Sequence, residues 1–391
     1  MILIEKPYIE TLRDRVRLGA RVHLPEKTEE IWFSVEPEYA QYITDDRADA
    51  FVVGLLPTAM RLGLDIRCEA PITKRLKYQI AQYVIPTLSG SSGTYHAICL
   101  DAPVTEAPLP SAGAVAVCFT GGVDSMYTLM KHMQPRDPAM QLIHLLVANV
   151  GSLEGDRTSD TLTLMTERFR SGIAADLGLK VIGLDSNIQQ VCPETFLATC
   201  EFRLASAALV LQKLLRAVLI GAGVSISQFE LDLQTNSFYA ACLLPLLETD
   251  STRFPSHGAE RNRIQKLDAL SDFPPAHRYL HPCIYVNQRK NCGTCGKCLR
   301  TLGGLYALGT LDRFEDVFDL ADFRNRKEDY LARILVFGND IFYAEILEAL
   351  RQKGEVFSPQ VRRKARILRA AQTLVSSGRC TKYIADIKKD E

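Results

Sequence analysis

The 391-residue chain has no uninterrupted apolar run of the roughly 18 residues that a membrane-spanning helix needs. Its richest apolar stretch, Leu204–Gly223, is broken by Gln212, Lys213 and Arg216, so no membrane partner is expected. A charge excess of either sign is also missing. The 46 Lys and Arg balance 46 Asp and Glu, which removes any whole-chain attraction to nucleic acid and makes nucleic acid an unexpected partner. The first seven residues, Met1 to Pro7, have no signal-peptide anatomy, so a soluble, cytoplasmic protein is expected. In a reducing compartment the 11 cysteines are not expected to form disulfides, and their clustering points to metal. Tryptophan occurs once, at Trp32; it and His96 read as packing or surface residues.

What is there suffices for two or three domains. Residues 1–93 read as an N-terminal α+β extension. A strand is expected at Glu30–Glu36, and a helix over Asp46–Leu62 capped by Thr44 and ended by Gly63, with Pro57 inside it. A further strand is expected at Leu64–Cys68 and a helix at Ile72–Val84. Ser89-Gly-Ser-Ser-Gly93 is flexible by composition, and with the proline-rich 94–113 it reads as a linker. Residues 114–310 alternate strand and helix patterns: strands near Ala114–Phe119, Leu142–Val147, Leu179–Leu184 and Ala217–Ile220, helices at Thr158–Leu177 and Phe196–Leu215. That alternation predicts an α/β fold, a parallel sheet flanked by helices. Residues 311–391 read as a helical C-terminal region, with helices at Asp312–Leu320, Lys327–Val336, Ala344–Arg351 and Pro359–Val375.

The chemistry concentrates at Phe119-Thr-Gly-Gly-Val-Asp-Ser125, where a short buried strand meets a glycine turn and a helix beginning near Ser125. A helix N-terminus offers N–H groups and partial positive charge to an anion. The lysine of the Walker A pattern is absent, which excludes the ordinary P-loop kinases and GTPases. Gly121 and Gly122 let the backbone approach phosphate, and Thr120 and Ser125 offer hydroxyls. Asp124 would repel phosphate directly, so its expected partner is Mg²⁺ bridging the triphosphate of ATP. In a parallel sheet ligands bind beyond the carboxyl ends of the strands, which adds Ala148 and Gly221 to the expected ATP-binding residues.

The second constellation is Cys283-x8-Cys292-x2-Cys295-x2-Cys298. Four thiolates at this spacing fit tetrahedral Zn²⁺, and a full set of sulfur ligands leaves no place for a catalytic water, so the site is expected to be structural. A redox pair, an iron–sulfur cluster or free thiols remain alternatives.

The loop pattern [ST]-G-G-x-D-S resembles that of the PP-loop ATP pyrophosphatases, which cleave ATP to AMP and pyrophosphate. With the four-cysteine pattern about 160 residues later, residues 114–310 are similar to the 7-cyano-7-deazaguanine synthase (QueC-like) branch. The resemblance implies adenylation of 7-carboxy-7-deazaguanine or a related deazapurine carboxylate, transfer to an amine to give an amide or nitrile, and a homodimer. It gives the nucleotide role to Thr120, Gly121, Gly122, Asp124 and Ser125 and the metal to the four cysteines. It also implies a basic residue ahead of the cysteines that reaches the phosphates: Lys266 is the first candidate, with Arg261 and Arg263 behind it, and His257 could meet substrate. Asp124, Ser125 and Lys266 are thus the expected catalytic residues. The chain departs from that family at Ala148-Asn-Val-Gly151 and Gly223–Asp232, where the substrate pocket would be shaped.

Three competing functions follow. Relatives in antiviral defence systems join a deazaguanine to a protein N-terminus, which would make the acceptor a protein. Other PP-loop families transfer sulfur to tRNA with a persulfide-carrying cysteine or an iron–sulfur cluster near the ATP site, for which Cys192 and Cys200 are the nearby spare candidates. A non-catalytic nucleotide-binding scaffold is the third. From Val356 onward nine Lys/Arg (362, 363, 364, 366, 369, 379, 382, 388, 389) face three acids (386, 390, 391); the segment reads as a solvated amphipathic helix packed on the core.

Overall fold

The computed structural model describes residues 1–391 except 92, 134–136, 154–157, 233 and 377–391; of residues 374–376 only the backbone is described. Two compact units result: residues 1–119 with 131–260, and residues 120–130 with 261–391.

The first unit is a mixed α/β layer structure with a mostly parallel central sheet of 11 strands. Ala114–Cys118 is apolar along its length and buried at every residue, as a strand covered on both faces must be. On one side it pairs in parallel with Leu142–Asn149, which pairs with Lys180–Ser186. On the other it pairs in parallel with Leu215–Gly221, which pairs with Ser256–His257. The first strand of this five-stranded block therefore lies at its centre, and the chain doubles back there. The predicted helix Phe196–Leu215 is shorter than expected: it ends at Leu209, and Leu215 already opens the next strand. Both segments are buried along most of their length, and periodicity cannot divide such a run.

The N-terminal residues do not stand apart. Thr28–Val35 joins the block in antiparallel register, pairing Phe33 with Ser186 and Ser34 with Asp185. Val16–His23, Ile2–Ile4, Ile66–Cys68 and Leu100–Asp101 then continue the same sheet. Polar side chains fix the join. Arg15 Nη2 donates to the carbonyls of Ser34 and Gly183, both at 2.6 Å, and Gly183 N–H donates to Glu36 Oε1 at 3.1 Å. Asp49 is fully buried; it accepts from Thr73 N–H at 2.7 Å and from Gln212 Nε2 at 3.1 Å. The helix Asp49–Leu62 lies against Phe196–Leu209, where the Ser206 hydroxyl donates to the Ala50 carbonyl at 2.6 Å. A methyl group on Gly54 would meet Ile188 Cδ1 at 2.5 Å, so the glycine permits this approach. Residues 94–113 are no free linker either, since Leu100–Asp101 pairs with Ile66–Cys68 and Val104–Thr105 with Ile72–Thr73.

Local expectations fare unevenly. Gly63 ends its helix in the left-handed conformation, φ +64°. Thr44 is not the cap: its hydroxyl accepts from Asp46 N–H at 3.3 Å in a local turn, and the helix starts at Asp49. Ser89–Ser91 end a helix, Ile85–Ser91, whereas Ser92 lies outside the described residues.

The second unit is helical. Arg263–Ser271, Gly296–Leu308, Lys327–Val336 and Ile341–Gln352 share one core of Leu267, Leu299, Leu302, Ile334, Ile346 and Leu350. Gly303 and Gly304 sit at the crossing, where an added Cβ would meet Ile334 Cδ1 at 2.7 Å and Leu267 Cδ1 at 2.5 Å. No boundary falls at residue 310, because the helices on either side of it pack together. Asp312–Leu320 is not one helix; a short turn at Leu311–Phe314 precedes Leu320–Asn325, whose cap is Asp319. The last helix, Pro359–Ser376, buries Val361 and Ala365, and Lys364 pairs with Asp329 at 2.7 Å. The charges at 379–391 lie outside the described residues.

His144, near the start of its strand, is 4% exposed, and its Nδ1 has no hydrogen-bond partner among the described residues. Burial, then the charge of Lys180, pulls its pKa from 6.5 down to about 4. The unfolded chain therefore binds the extra proton first, so this contribution to stability is full above pH 6.5 and falls away as pH drops towards 4. His144→Gln is expected to flatten the pH dependence of the melting temperature in that window by close to one proton's worth of slope; an unchanged slope would rule this out.

Candidate active site and metal centre

Gly121 turns the chain with φ +75°, a conformation glycine adopts without a Cβ penalty. The helix Val123–His132 follows at once, two residues earlier than the sequence suggested. The Ser125 hydroxyl holds the turn closed: it accepts from Thr120 N–H at 3.3 Å and donates to the Gly122 carbonyl at 3.1 Å. Gly122 N–H in turn donates to Thr120 Oγ1 at 3.4 Å, and His281 N–H donates to the Gly121 carbonyl at 2.7 Å. Thr120, Gly121, Gly122 and Ser125 thus form one preorganised turn.

Asp124, in the first turn of that helix, meets two cations. Arg263 Nη2 donates to Oδ2 at 2.8 Å and Lys266 Nζ to Oδ1 at 3.1 Å. Both come from the helix Arg263–Ser271, whose start is set by Asn262: its side chain accepts from Gln265 N–H at 2.9 Å, and Gln265 returns a bond to Asn262 N–H at 3.1 Å. Residues three apart share a helix face, which is why both cations reach one carboxylate. The Lys266 side chain is 1% exposed, a charge kept from water by its partners. Arg263 also lies over the Phe342 ring at 4.8 Å, and its buried Nε has no hydrogen-bond partner among the described residues.

The other expected residues distribute as follows. Ala148 and Gly221 stand at the carboxyl ends of their strands in the first unit, whereas the glycine turn belongs to the second. His257 ends the strand Ser256–His257 and sets its ring edge-on to His132 at 4.5 Å. Arg261 is exposed. Cys192 and Cys200 are buried, and burial raises both thiols above their usual range, Cys192 to about 11. Protonated, enclosed thiols are poor persulfide carriers.

The sulfurs of Cys283, Cys292, Cys295 and Cys298 all lie within 4.8 Å of one another. The Cys292 and Cys298 sulfurs are 3.8 Å apart, the edge of a tetrahedron with metal–sulfur bonds of about 2.3 Å. Backbone N–H groups point at the sulfurs: Tyr285 and Cys292 donate to Cys283 Sγ at 3.4 Å, and Cys295 donates to Cys292 Sγ at 3.3 Å. Such donors stabilise thiolates. The group could therefore hold a structural metal such as zinc. Its surroundings are fixed by residues the sequence did not single out. Asn291 donates to the Leu280 carbonyl at 3.0 Å and the Val317 carbonyl at 2.9 Å, and the Tyr330 hydroxyl donates to the Gly293 carbonyl.

Two further cations escaped the sequence reading, Lys297 and Arg300 in the first turns of Gly296–Leu308. Arg300 lies over the Phe342 ring at 4.7 Å, the same ring that Arg263 covers. Burial, then Arg263, lowers its pKa. Lys297 keeps contact with water, yet desolvation by surrounding protein, then Arg300 and Arg263, lower its pKa as well; its exposure tempers that shift. The available signal was their spacing of three, starting between two of the four clustered cysteines.

The chain matches no protein-family model, no curated protein and no solved structure.

Purified protein is expected to carry one zinc per chain by mass spectrometry. Cys298→Ser is expected to remove most of it and to cost roughly 3 kcal/mol or more of stability in thermal melts. Iron in place of zinc, or a metal-free protein with an unchanged melt, would overturn the assignment.

Proposed function

We propose that this chain is an ATP-dependent ligase of the PP-loop type, related in chemistry to the 7-cyano-7-deazaguanine synthases. It adenylates a carboxylate, in this reading a deazapurine carboxylate, and passes the acyl group to an amine. The observation that carries the proposal is the Asp124 carboxylate, fixed on a glycine turn by Arg263 at 2.8 Å and Lys266 at 3.1 Å.

A substrate carboxylate oxygen attacks the α-phosphorus of ATP, and the bond to the bridging oxygen breaks with its electron pair leaving on pyrophosphate. The amine then attacks the acyl carbon, AMP departs, and the amine loses a proton. For the first step the leaving group needs its charge neutralised. The glycine turn and the helix start supply N–H donors for the phosphates. Lys266, held out of water, keeps its full electrostatic strength, and Arg263 adds a planar donor suited to phosphate oxygens. Mg²⁺, when bound through Asp124, would neutralise triphosphate charge. The four-sulfur group has no open ligand position and acts as a scaffold.

ATP, Mg²⁺, ammonia and 7-carboxy-7-deazaguanine are expected to yield AMP and pyrophosphate, resolved by chromatography. Asp124→Asn is expected to lower kcat/KM at least 100-fold, about 2.7 kcal/mol in the barrier. Formation of ADP and phosphate would contradict the reaction class. AMP and pyrophosphate only when a protein acceptor is added would replace ammonia as the nucleophile.

A further inference from the structure

Lys297 and Arg300 have no assigned role, and their chemistry is unusual for structural residues. Neither forms an ion pair with a carboxylate among the described residues, and Arg300 has only the face of Phe342 as its close partner. A partly buried guanidinium without a counter-ion costs free energy that packing alone does not return.

Their neighbours multiply the effect. Arg263 and Arg300 lie at 4.8 and 4.7 Å from one aromatic ring, so two guanidiniums converge on Phe342. Lys266 shares Asp124 with Arg263. Four cations from two helices therefore gather near one glycine turn. The carboxylates that face them are Asp124; Glu345, which accepts from Arg263 N–H at 3.0 Å; and Asp340, which already caps its own helix. Positive charge remains in excess, and it is most open at Lys297, which reaches solvent.

We propose that Lys297 and Arg300 bind the pyrophosphate portion of the nucleotide, and that the four-cysteine metal site exists to hold them there. The inference rests on the nucleotide reading above and extends it to residues outside the glycine turn. Lys297 lies between the ligands Cys295 and Cys298, and Arg300 is one helical step further, three residues on. Closing four sulfurs around a metal fixes the first turn of Gly296–Leu308, and with it the direction of both side chains. The metal thus acts on phosphate binding through geometry, with no part in bond making. Arg263, Lys266, Lys297 and Arg300 then present donors to phosphate oxygens from two sides, a match for a polyanion with several equivalent oxygens.

Inorganic pyrophosphate is the probe, measured by calorimetry on the zinc-loaded full chain. Lys297→Met and Arg300→Met are each expected to weaken it about tenfold, and the double variant about 100-fold. AMP affinity, zinc content and melting temperature should stay near the parent values. Lys297→Arg should restore most of the binding, and the salt dependence should become shallower in the double variant. Chelation of the metal from the parent should weaken pyrophosphate as the double variant does. If the parent binds neither pyrophosphate nor ATP, the nucleotide reading falls and this inference with it. If the parent binds both and the double variant binds pyrophosphate equally well, only the role of Lys297 and Arg300 is overturned. Undiminished binding after complete metal loss would overturn the positioning role of the cysteines.

Discussion

Asp124 is the point on which the second unit turns. Its carboxylate draws Arg263 and Lys266 onto one helix face, and Lys266 is enclosed to 1% exposure around that contact. Residues 120–130 belong with 261–391 and not with the strand that precedes them in the chain. A buried ammonium is tolerated only where its charge is met, so this pairing specifies where the helix Arg263–Ser271 must lie. From that helix the arrangement spreads through Leu267 to Gly304, and so to the helix that carries Lys297, Cys298 and Arg300.

The four-cysteine group and the cation cluster are one construction in physical terms. The same short stretch, Cys292–Arg300, supplies three sulfurs and two cations. Four like charges drawn together oppose folding, and a knuckle of four cysteines, if closed on a metal, would hold a helix start against that repulsion. Phe342 contributes its ring to two guanidiniums, which gathers both beside one aromatic group.

In the first unit the governing constraint is satisfaction of a wide sheet. Its parallel block has to be paired or covered along both edges. Thr28–Val35 pairs with one edge strand, and Arg15 and Glu36 bind the backbone of Gly183 in that strand. This is why the N-terminal residues share a core with the parallel block instead of forming a unit of their own.

Much was legible in the sequence. The apolar run Ala114–Cys118, the glycine turn and Gly63 carry their conformations locally, through burial on both faces and through positive φ. The four cysteines were legible because their spacing alone limits what they can surround. Lys327–Val336 was read to the residue, since its polar and apolar positions alternate with a clear helical period. What local pattern could not decide were partners. Thr44 had the chemistry of a cap but closed a different turn, and in Leu204–Leu211 only Ser206 is polar, so no local signal marks the helix end at Leu209. Lys297 and Arg300 look like surface charges in one dimension. Their meaning arises only when Arg263 and Phe342, 34 and 45 residues to either side of Lys297, are brought beside them. The sequence by itself determined the turn, the thiols and the strand pattern, each a property of a few adjacent residues. Which charges converge was decided by tertiary structure, because electrostatic energy depends on distance in space and not along the chain.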